Sequence, residues 1–407
     1  MRAFTGQVNK PELHKSRILN LLRENGPQSR FDLSLSSMLS IATTKRLVEE
    51  LLADGLLMEG EADSRPGRGR KASLLQLESR YGYAIGVSIT AVALEIHAVD
   101  FNGRSVASWQ IAPKDFSREG LQESIAGGLR DAVSSCRSAG NGPLLGIGAG
   151  IAGLVNAREG IVVYCPGLEG WENVDLASFL SKCGGAEAVI DDEVRCMALA
   201  EKRYGSAREL DTFLFIYIGS GVGSGIILDN RIYRGTHGVS GEFGHITIRE
   251  NGPLCNCGNR GCLEALVSTE AIQARVQEAL DANVYSSLRE RGTPADLPAL
   301  SSLYEAALAG DKLANMVIAE VEDNIGTGIA NLINVFDPGT VILSGEVIFN
   351  FHELILEGIR RIVGRRAMHT IAHRTAIQGS SLSGDTAARG AATLVIERFL
   401  RNEIVNL

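Results

Sequence analysis

Four side chains in the second half of the chain have the types and spacing to hold a metal ion. They are His245, Cys255, Cys257 and Cys262, in the pattern H-x9-C-x-C-x4-C. Three thiolates and one imidazole complete a tetrahedral Zn2+ shell and leave no position for water, which describes a structural site. Gly258 and Gly261 permit the tight folding that gathers three sulfurs, and Asn251-Gly252-Pro253 turns the chain back toward His245. Three of the seven cysteines crowd into these eight residues. With no apolar signal core after Met1, that pattern favours free thiols and a metal over a disulfide framework. Glu242 precedes His245 by three residues and Glu264 follows Cys262 by two. A closed metal loop would fix both carboxylates, which suit hydrogen bonds to sugar hydroxyls. Unrelated buried cysteines and plain surface glutamates are the competing readings.

A second chemical feature is Gly219-Ser-Gly-Val-Gly-Ser-Gly225, expected as a turn between two strands. Such a turn can expose backbone N–H groups to a phosphate, although glycine serves tight hairpins equally well. A third is basic. Residues 1–75 hold 12 Lys and Arg against 9 Asp and Glu, or +3, in a chain whose total charge is −8. A basic head on an acidic body suits contact with nucleic acid at one end only.

The elements that must position these groups follow from periodicity. Helices are expected over about Pro11–Glu24, Arg30–Ser36 and Ser40–Asp54, then strands at Leu56–Met58 and Ser73–Leu77 around the basic tip Arg65–Lys71. Helix, helix, helix, strand, basic loop, strand is the order of a winged helix-turn-helix. Its third helix would offer Ser40, Thr43, Thr44, Lys45 and Arg46 to a major groove; Arg65, Arg68, Arg70 and Lys71 would meet phosphates or a narrow minor groove. A small helical protein-interaction domain is the alternative.

From Tyr83 the pattern turns to strands: Tyr83–Ile89, Ala93–Asp100 and Ser105–Ile111, with a hairpin at Asn102-Gly103, a helix over Gly120–Arg137 and a strand over Leu144–Gly153. A similar order recurs at Thr212–Ile218, Ser224–Leu228 and Arg231–Tyr233, then Thr340–Leu343 and a last helix over Ala387–Arg401. The expected fold is therefore α/β with an internal duplication and a ligand cleft between the halves. The chain of 407 residues, 45% hydrophobic and 22% charged, has the composition of a globular protein with two or three domains. It holds no apolar run long enough to span a membrane, and a cytoplasmic location is expected.

Gly241-Glu-Phe-Gly-His245 followed by Cys255-Asn-Cys-Gly-Asn-Arg-Gly-Cys-Leu-Glu264 resembles the signature of the ROK family of repressors, open reading frames and kinases. The resemblance covers essentially the whole chain, including the winged-helix head of the family's repressor branch. It implies a two-lobed, actin-like (ribonuclease H-like, sugar-kinase-like) body. A head at 1–79 joins this body at 80–407, with one lobe at about 80–205 plus 385–407 and the other at about 206–384. It implies Zn2+ on the four residues above and a sugar near Glu242, His245 and Glu264, with His245 binding metal by one ring nitrogen and addressing sugar by the other.

The departures concern catalysis. The stretch matching the kinases' Asp-Ile-Gly-Gly-Thr-Lys-like phosphate loop reads Ser88-Ile-Thr-Ala-Val-Ala93, without the acid, the glycines or the Thr-Lys pair. Asp192-Glu193-Val194-Arg195 stands where the kinases carry an Asn-Asp-Ala-Asn-like motif, so Glu193 replaces the catalytic Asp and lies near the ligand. Gly167 replaces a sugar-contacting Asn. The expectation is a sugar-responsive repressor that is not an enzyme. It would bind double-stranded operator DNA as a homodimer or homotetramer and respond to a small sugar or sugar derivative. The alternative is an ATP-dependent sugar kinase with an added DNA-binding head.

Overall fold

A computed structural model describes residues 10–62, 73–113, 115–290, 299–384 and 386–401. The basic tip carrying Arg65, Arg68, Arg70 and Lys71 lies outside the described residues. The chain divides into two compact units, Met1–Cys196 with Ala387–Leu407, and Met197–Thr386.

The first unit opens with α1 (Lys10–Asn25), α2 (Arg30–Ser37) and α3 (Ile41–Ala53), followed by β1 (Leu57–Ala62) and β2 (Ser73–Leu77). α1 buries Ile18, Leu19 and Leu22, α3 buries Leu47, Val48 and Leu51, and the three helices pack on one another. Ser29 starts α2 with a capping box completed by Asp32, and Ser40 starts α3 by accepting the Thr43 N–H at 3.1 Å. Between them Met38 ends α2 in the left-handed region at φ 54°. β1 and β2 pair antiparallel from Leu57↔Leu77 to Ala62↔Ser73. β1 runs past the expected Met58 because an exposed ribbon tolerates the polar residues Glu59 and Glu61 while Leu57, Leu75 and Leu77 stay buried.

The same unit continues with β3 (Tyr83–Ile89), β4 (Leu94–Asp100), β5 (Ser105–Ile111), α4 (Arg118–Ser138), β6 (Leu144–Ile151), β7 (Leu154–Asn156), β8 (Ile161–Tyr164), β9 (Val174–Asp175), α5 (Leu176–Gly184), β10 (Ala188–Asp192) and the start of α6 (Glu193–Tyr204). The main sheet has the order β10-β6-β3-β4-β5, with β3, β4 and β5 an antiparallel meander and β6 and β10 added parallel. The expected long strand over Leu144–Gly153 stops at Ile151. The chain turns there, and a side chain at Gly153 would run into the Tyr164 carbonyl.

The second unit holds β11 (Phe213–Ile218), β12 (Val222–Leu228), β13 (Arg231–Ile232), α7 (Glu264–Val267), α8 (Thr269–Asp281), α9 (Leu300–Leu308), α10 (Lys312–Phe336), β14 (Thr340–Ser344), α11 (Glu346–Arg366), α12 (His369–Ala372) and β15 (Ala376–Gly379). Its sheet has the order β13-β12-β11-β14-β15, again a three-strand meander extended by two parallel strands. Both sheets thus share one order and one set of strand directions, which is the structural form of the duplication expected from the sequence.

The last helix, α13 (Thr386–Leu400), returns to the first unit. Added side chains at Gly86 and Gly148 would collide with its Ala388 and Ala391 carbonyls, so glycine there lets helix backbone lie directly on the sheet. The far end of α13 meets the opening helices. The Ser16 hydroxyl donates to the Leu400 carbonyl, Arg23 faces Glu397, and Tyr81, Phe101 and Phe399 cluster with ring centroids 5.0–5.7 Å apart. Among the described residues no helix is long and apolar enough to cross a membrane.

Candidate functional site

The metal-ligand candidates converge. His245 lies in a 3-10 turn after β13, and the three cysteines occupy a knuckle between that turn and α7. The knuckle is closed by backbone: Cys255 N–H donates to Asn259 O at 2.8 Å, Gly261 N–H to Pro253 O at 2.8 Å and Ile248 N–H to Gly261 O at 2.8 Å. Gly261 has φ +69° with its α-carbon against the Arg249 carbonyl, an approach that a side chain would prevent. The result places His245 Nδ1 3.7 Å from Cys255 Sγ and Cys257 Sγ 3.7 Å from Cys262 Sγ, with all four donor atoms within 4.8 Å of one another. A tetrahedral ion with metal–sulfur bonds of about 2.3 Å separates neighbouring sulfurs by about 3.8 Å, so the cluster fits such an ion. Burial pushes the Cys262 thiol up to about 12, while the Asn259 backbone amide lowers Cys257.

The flanking carboxylates reach this cluster differently. Glu242 Oε2 lies 3.9 Å from His245 Nε2, the ring nitrogen not turned to the thiols. Glu264 Oε1 lies 4.0 Å from Cys255 Sγ, while its Oε2 accepts the Val222 N–H at 3.0 Å. The glycine-rich stretch departs from expectation. Val222 to Gly225 belong to β12, leaving only Gly219–Gly221 as turn. The Gly219 N–H is taken by Gly221 O at 2.9 Å and the Val222 N–H by Glu264, so two amides counted as phosphate donors are already engaged.

Glu193 stands at the start of α6 in the first unit, where Ser88 Oγ donates to its Oε1 at 3.2 Å. Burial, reinforced by the Asp192 carboxylate, pushes Glu193 up to about 8, which favours its protonated form. The neighbouring loop is also closed on itself: Thr90 Oγ1 accepts the N–H groups of Val92 at 3.3 Å and Ala93 at 2.9 Å. Gly167 adopts φ +83° opposite Ala91.

The expected nucleic-acid contacts divide. Ser40 and Thr43 hydroxyls lie 2.8 Å apart at the exposed start of α3. Lys45 pairs with Glu49 at 3.9 Å and Arg46 with Glu50 at 2.5 Å, and Lys15 shares Glu50 at 3.3 Å. Thr44 departs from expectation: it is fully buried, and its hydroxyl finds no hydrogen-bond partner among the described residues. It lies three residues before Leu47 and four before Val48, on the stripe α3 turns inward. The sequence reading passed over Ile41, an exposed apolar residue at the first turn of α3, 63% exposed.

The sequence profile of the ROK family matches residues 84–398, and the chain belongs to that family. It is 30% identical over 398 residues to a protein of Caldicellulosiruptor bescii named xylose repressor, covering 96% of each chain. Among solved structures it is similar to an ROK family transcriptional regulator described as a homolog of the E. coli MLC protein, with 27% identity and a TM-score of 0.84 over 96% of this chain and 97% of that one. It is also similar to an ROK family glucokinase from Streptomyces griseus in complex with glucose and AMPPNP, with 29% identity and a TM-score of 0.66 over 77% of this chain and 99% of that one.

Proposed function

We propose that this protein is a sugar-responsive, DNA-binding transcriptional repressor whose actin-like body no longer transfers phosphate. The observation that carries this is the extent of the likeness. The repressor relative and the regulator structure match 96% of the chain, whereas the glucokinase matches 77%. The shortfall has the length of the segment that precedes the family profile at residue 84.

That segment is a winged helix-turn-helix: α3 enters the major groove with Ser40, Thr43, Lys45 and Arg46, and β1 and β2 form the wing that carries Arg65, Arg68, Arg70 and Lys71. Thr44 supports the helix from inside. Ion pairing of Lys45 and Arg46 with acids on their own helix costs little to rearrange at an exposed surface, so both cations remain available to phosphates. Two copies reading an inverted repeat make a homodimer or homotetramer the working form.

Zn2+ on His245, Cys255, Cys257 and Cys262 closes the loop that carries Glu242 and Glu264. The ion supplies structure rather than an open coordination position. His245 bound through Nδ1 leaves Nε2, beside Glu242, for a sugar hydroxyl; Glu264 is held by Val222 and by the cluster. Glu193, whose protonated form is favoured by burial, serves a ligand as a hydrogen-bond donor. Repression responds to sugar because the sugar binds one conformation better than another, and the same free energy then weakens or strengthens the hold on DNA.

The test is a mobility-shift titration of DNA from the protein's own promoter at several salt concentrations, with and without a panel of aldoses and amino sugars. One sugar should change the affinity, and raising salt should weaken binding steeply. Sequence-independent binding at physiological salt, or ADP release with any sugar of the panel in a coupled assay, would overturn the proposal.

A further inference from the structure

His369 is the first residue of α12 and His373 caps its end, so the two imidazoles stand one helical turn apart. Both are exposed, and their rings meet edge to face with centroids 4.3 Å apart. Their Nε2 atoms lie 3.0 Å from each other. A metal bound to imidazole at about 2.0–2.1 Å, with an N–M–N angle between square and tetrahedral values, holds two nitrogens about 2.9–3.3 Å apart. The observed separation falls within that range.

The short helix that presents the pair is held from several sides. Met368 N–H donates to Asn334 Oδ1 at 2.8 Å, anchoring the start of α12 to α10. Ile371 and Ala372 N–H groups both donate to Met368 O at 2.9 Å. After the helix, Thr375 Oγ1 donates to Pro338 O at 3.0 Å. Two ring nitrogens already 3.0 Å apart on a fixed turn lose little freedom on chelating an ion. A hydrogen bond between two neutral imidazoles is the other use of this geometry, but at an exposed position it only replaces bonds that water offers each ring.

We propose that His369 and His373 form a second metal site, separate from the Cys3His cluster, that chelates a late first-row divalent cation. Two imidazoles and no thiolate select Ni2+, Cu2+ or Zn2+ over Mg2+ or Ca2+. The remaining coordination positions face solvent and take water or an exchangeable anion.

The experiment uses the full-length, zinc-loaded protein, so that the thiolates are occupied, and titrates it with Ni2+ by calorimetry. A chromophoric indicator follows any zinc released. The expected result is one nickel bound without zinc release, and a loss of about 10²-fold in affinity on removing either ring, because one ligand no longer positions the other. His369→Gln and His373→Gln are made separately; each keeps a polar side chain at an exposed position, and circular dichroism checks the fold. Absence of nickel binding overturns the proposal. So does affinity unchanged in both variants, or nickel uptake matched by zinc release.

Discussion

Arg23 of α1 and Glu397 of α13 face each other at 4.0 Å with side chains only 5% exposed, where the opening helices meet the last helix. At an effective dielectric of about 20 two unit charges at that distance attract by about 4 kcal/mol, and removing one member of such a buried pair costs about 3–5 kcal/mol because that attraction is lost while the remaining charge stays buried. Arg401 also lies 3.2 Å from Glu397 but is 28% exposed, so its share is screened. Glu397→Ala should therefore loosen α1. Native-state hydrogen exchange of the α1 amides reads this directly, since it reports local opening even where global unfolding is not two-state. The opening free energy should fall by about 3 kcal/mol or more in Glu397→Ala and in Arg23→Ala, and the double variant should cost much less than the sum. Arg23→Met with Glu397→Leu should recover most of the loss, because an apolar pair of similar size buries no charge. A coupling energy below about 0.5 kcal/mol in the double-mutant cycle would refute the reasoning and leave the two charges as bystanders of apolar packing.

Other expectations follow from single sites. Cys262→Ser should abolish zinc retention, measured by metal analysis, and lower the thermal midpoint steeply, since zinc binding to such a ligand set is worth about 10 kcal/mol or more in small zinc domains. Glu193 is pushed up to about 8 from an ordinary 4.5. The folded protein therefore holds this proton more tightly than the unfolded chain, and that stabilisation is complete below the ordinary value and lost as pH rises through about 8. Glu193→Gln should flatten the fall in thermal stability across that window; a wild-type slope unchanged in the variant would show that the carboxyl is ionised after all. Met38 sits at φ 54° with 79% of its surface exposed, so Met38→Gly should relieve backbone strain at little cost in packing and raise stability by about 1 kcal/mol in a urea melt.

What the sequence disclosed depended on the range of the signal. The metal cluster was legible because its ligands lie within eighteen residues and a thiolate cluster has few other uses. The opening helices and the first meander were legible because period and turn chemistry are local: Asn102-Gly103 and Asp229-Asn230 punctuate the strands, and the latter pair does adopt positive φ. Thr44 was readable and was misread. Its residue type suits a base contact, but its spacing from Leu47 and Val48 puts it on the buried stripe, and spacing decides. β7, β8 and β9 are only two to four residues long, too short for a period to show, and β10 pairs with β6 across the small sheet and α5 that separate them in sequence. The state of Glu193 was beyond any sequence signal, since it depends on what β3 and α6 place around the carboxyl.

The same long-range placement bears on the proposed loss of phosphate transfer. Phosphate binding by backbone needs N–H groups that are oriented and unspent. In the hairpin after β3, Thr90 takes the amides of Val92 and Ala93 through its hydroxyl, and Ser88 turns its own donor onto Glu193. In the second unit Glu264 takes the Val222 amide. A nucleotide would have to displace these internal acceptors and meet an uncapped hydroxyl or a buried carboxyl in return, with no gain in hydrogen bonds to set against the desolvation of its charge. The loop's two glycine positions fall at Thr90 and Ala91, so Ala91→Gly alone would leave the amides of Val92 and Ala93 held, and Thr90→Gly is the minimum change that frees them. On the proposed function, Glu242 and His245 Nε2 need only hydroxyl groups as partners, a requirement a sugar meets without being transformed.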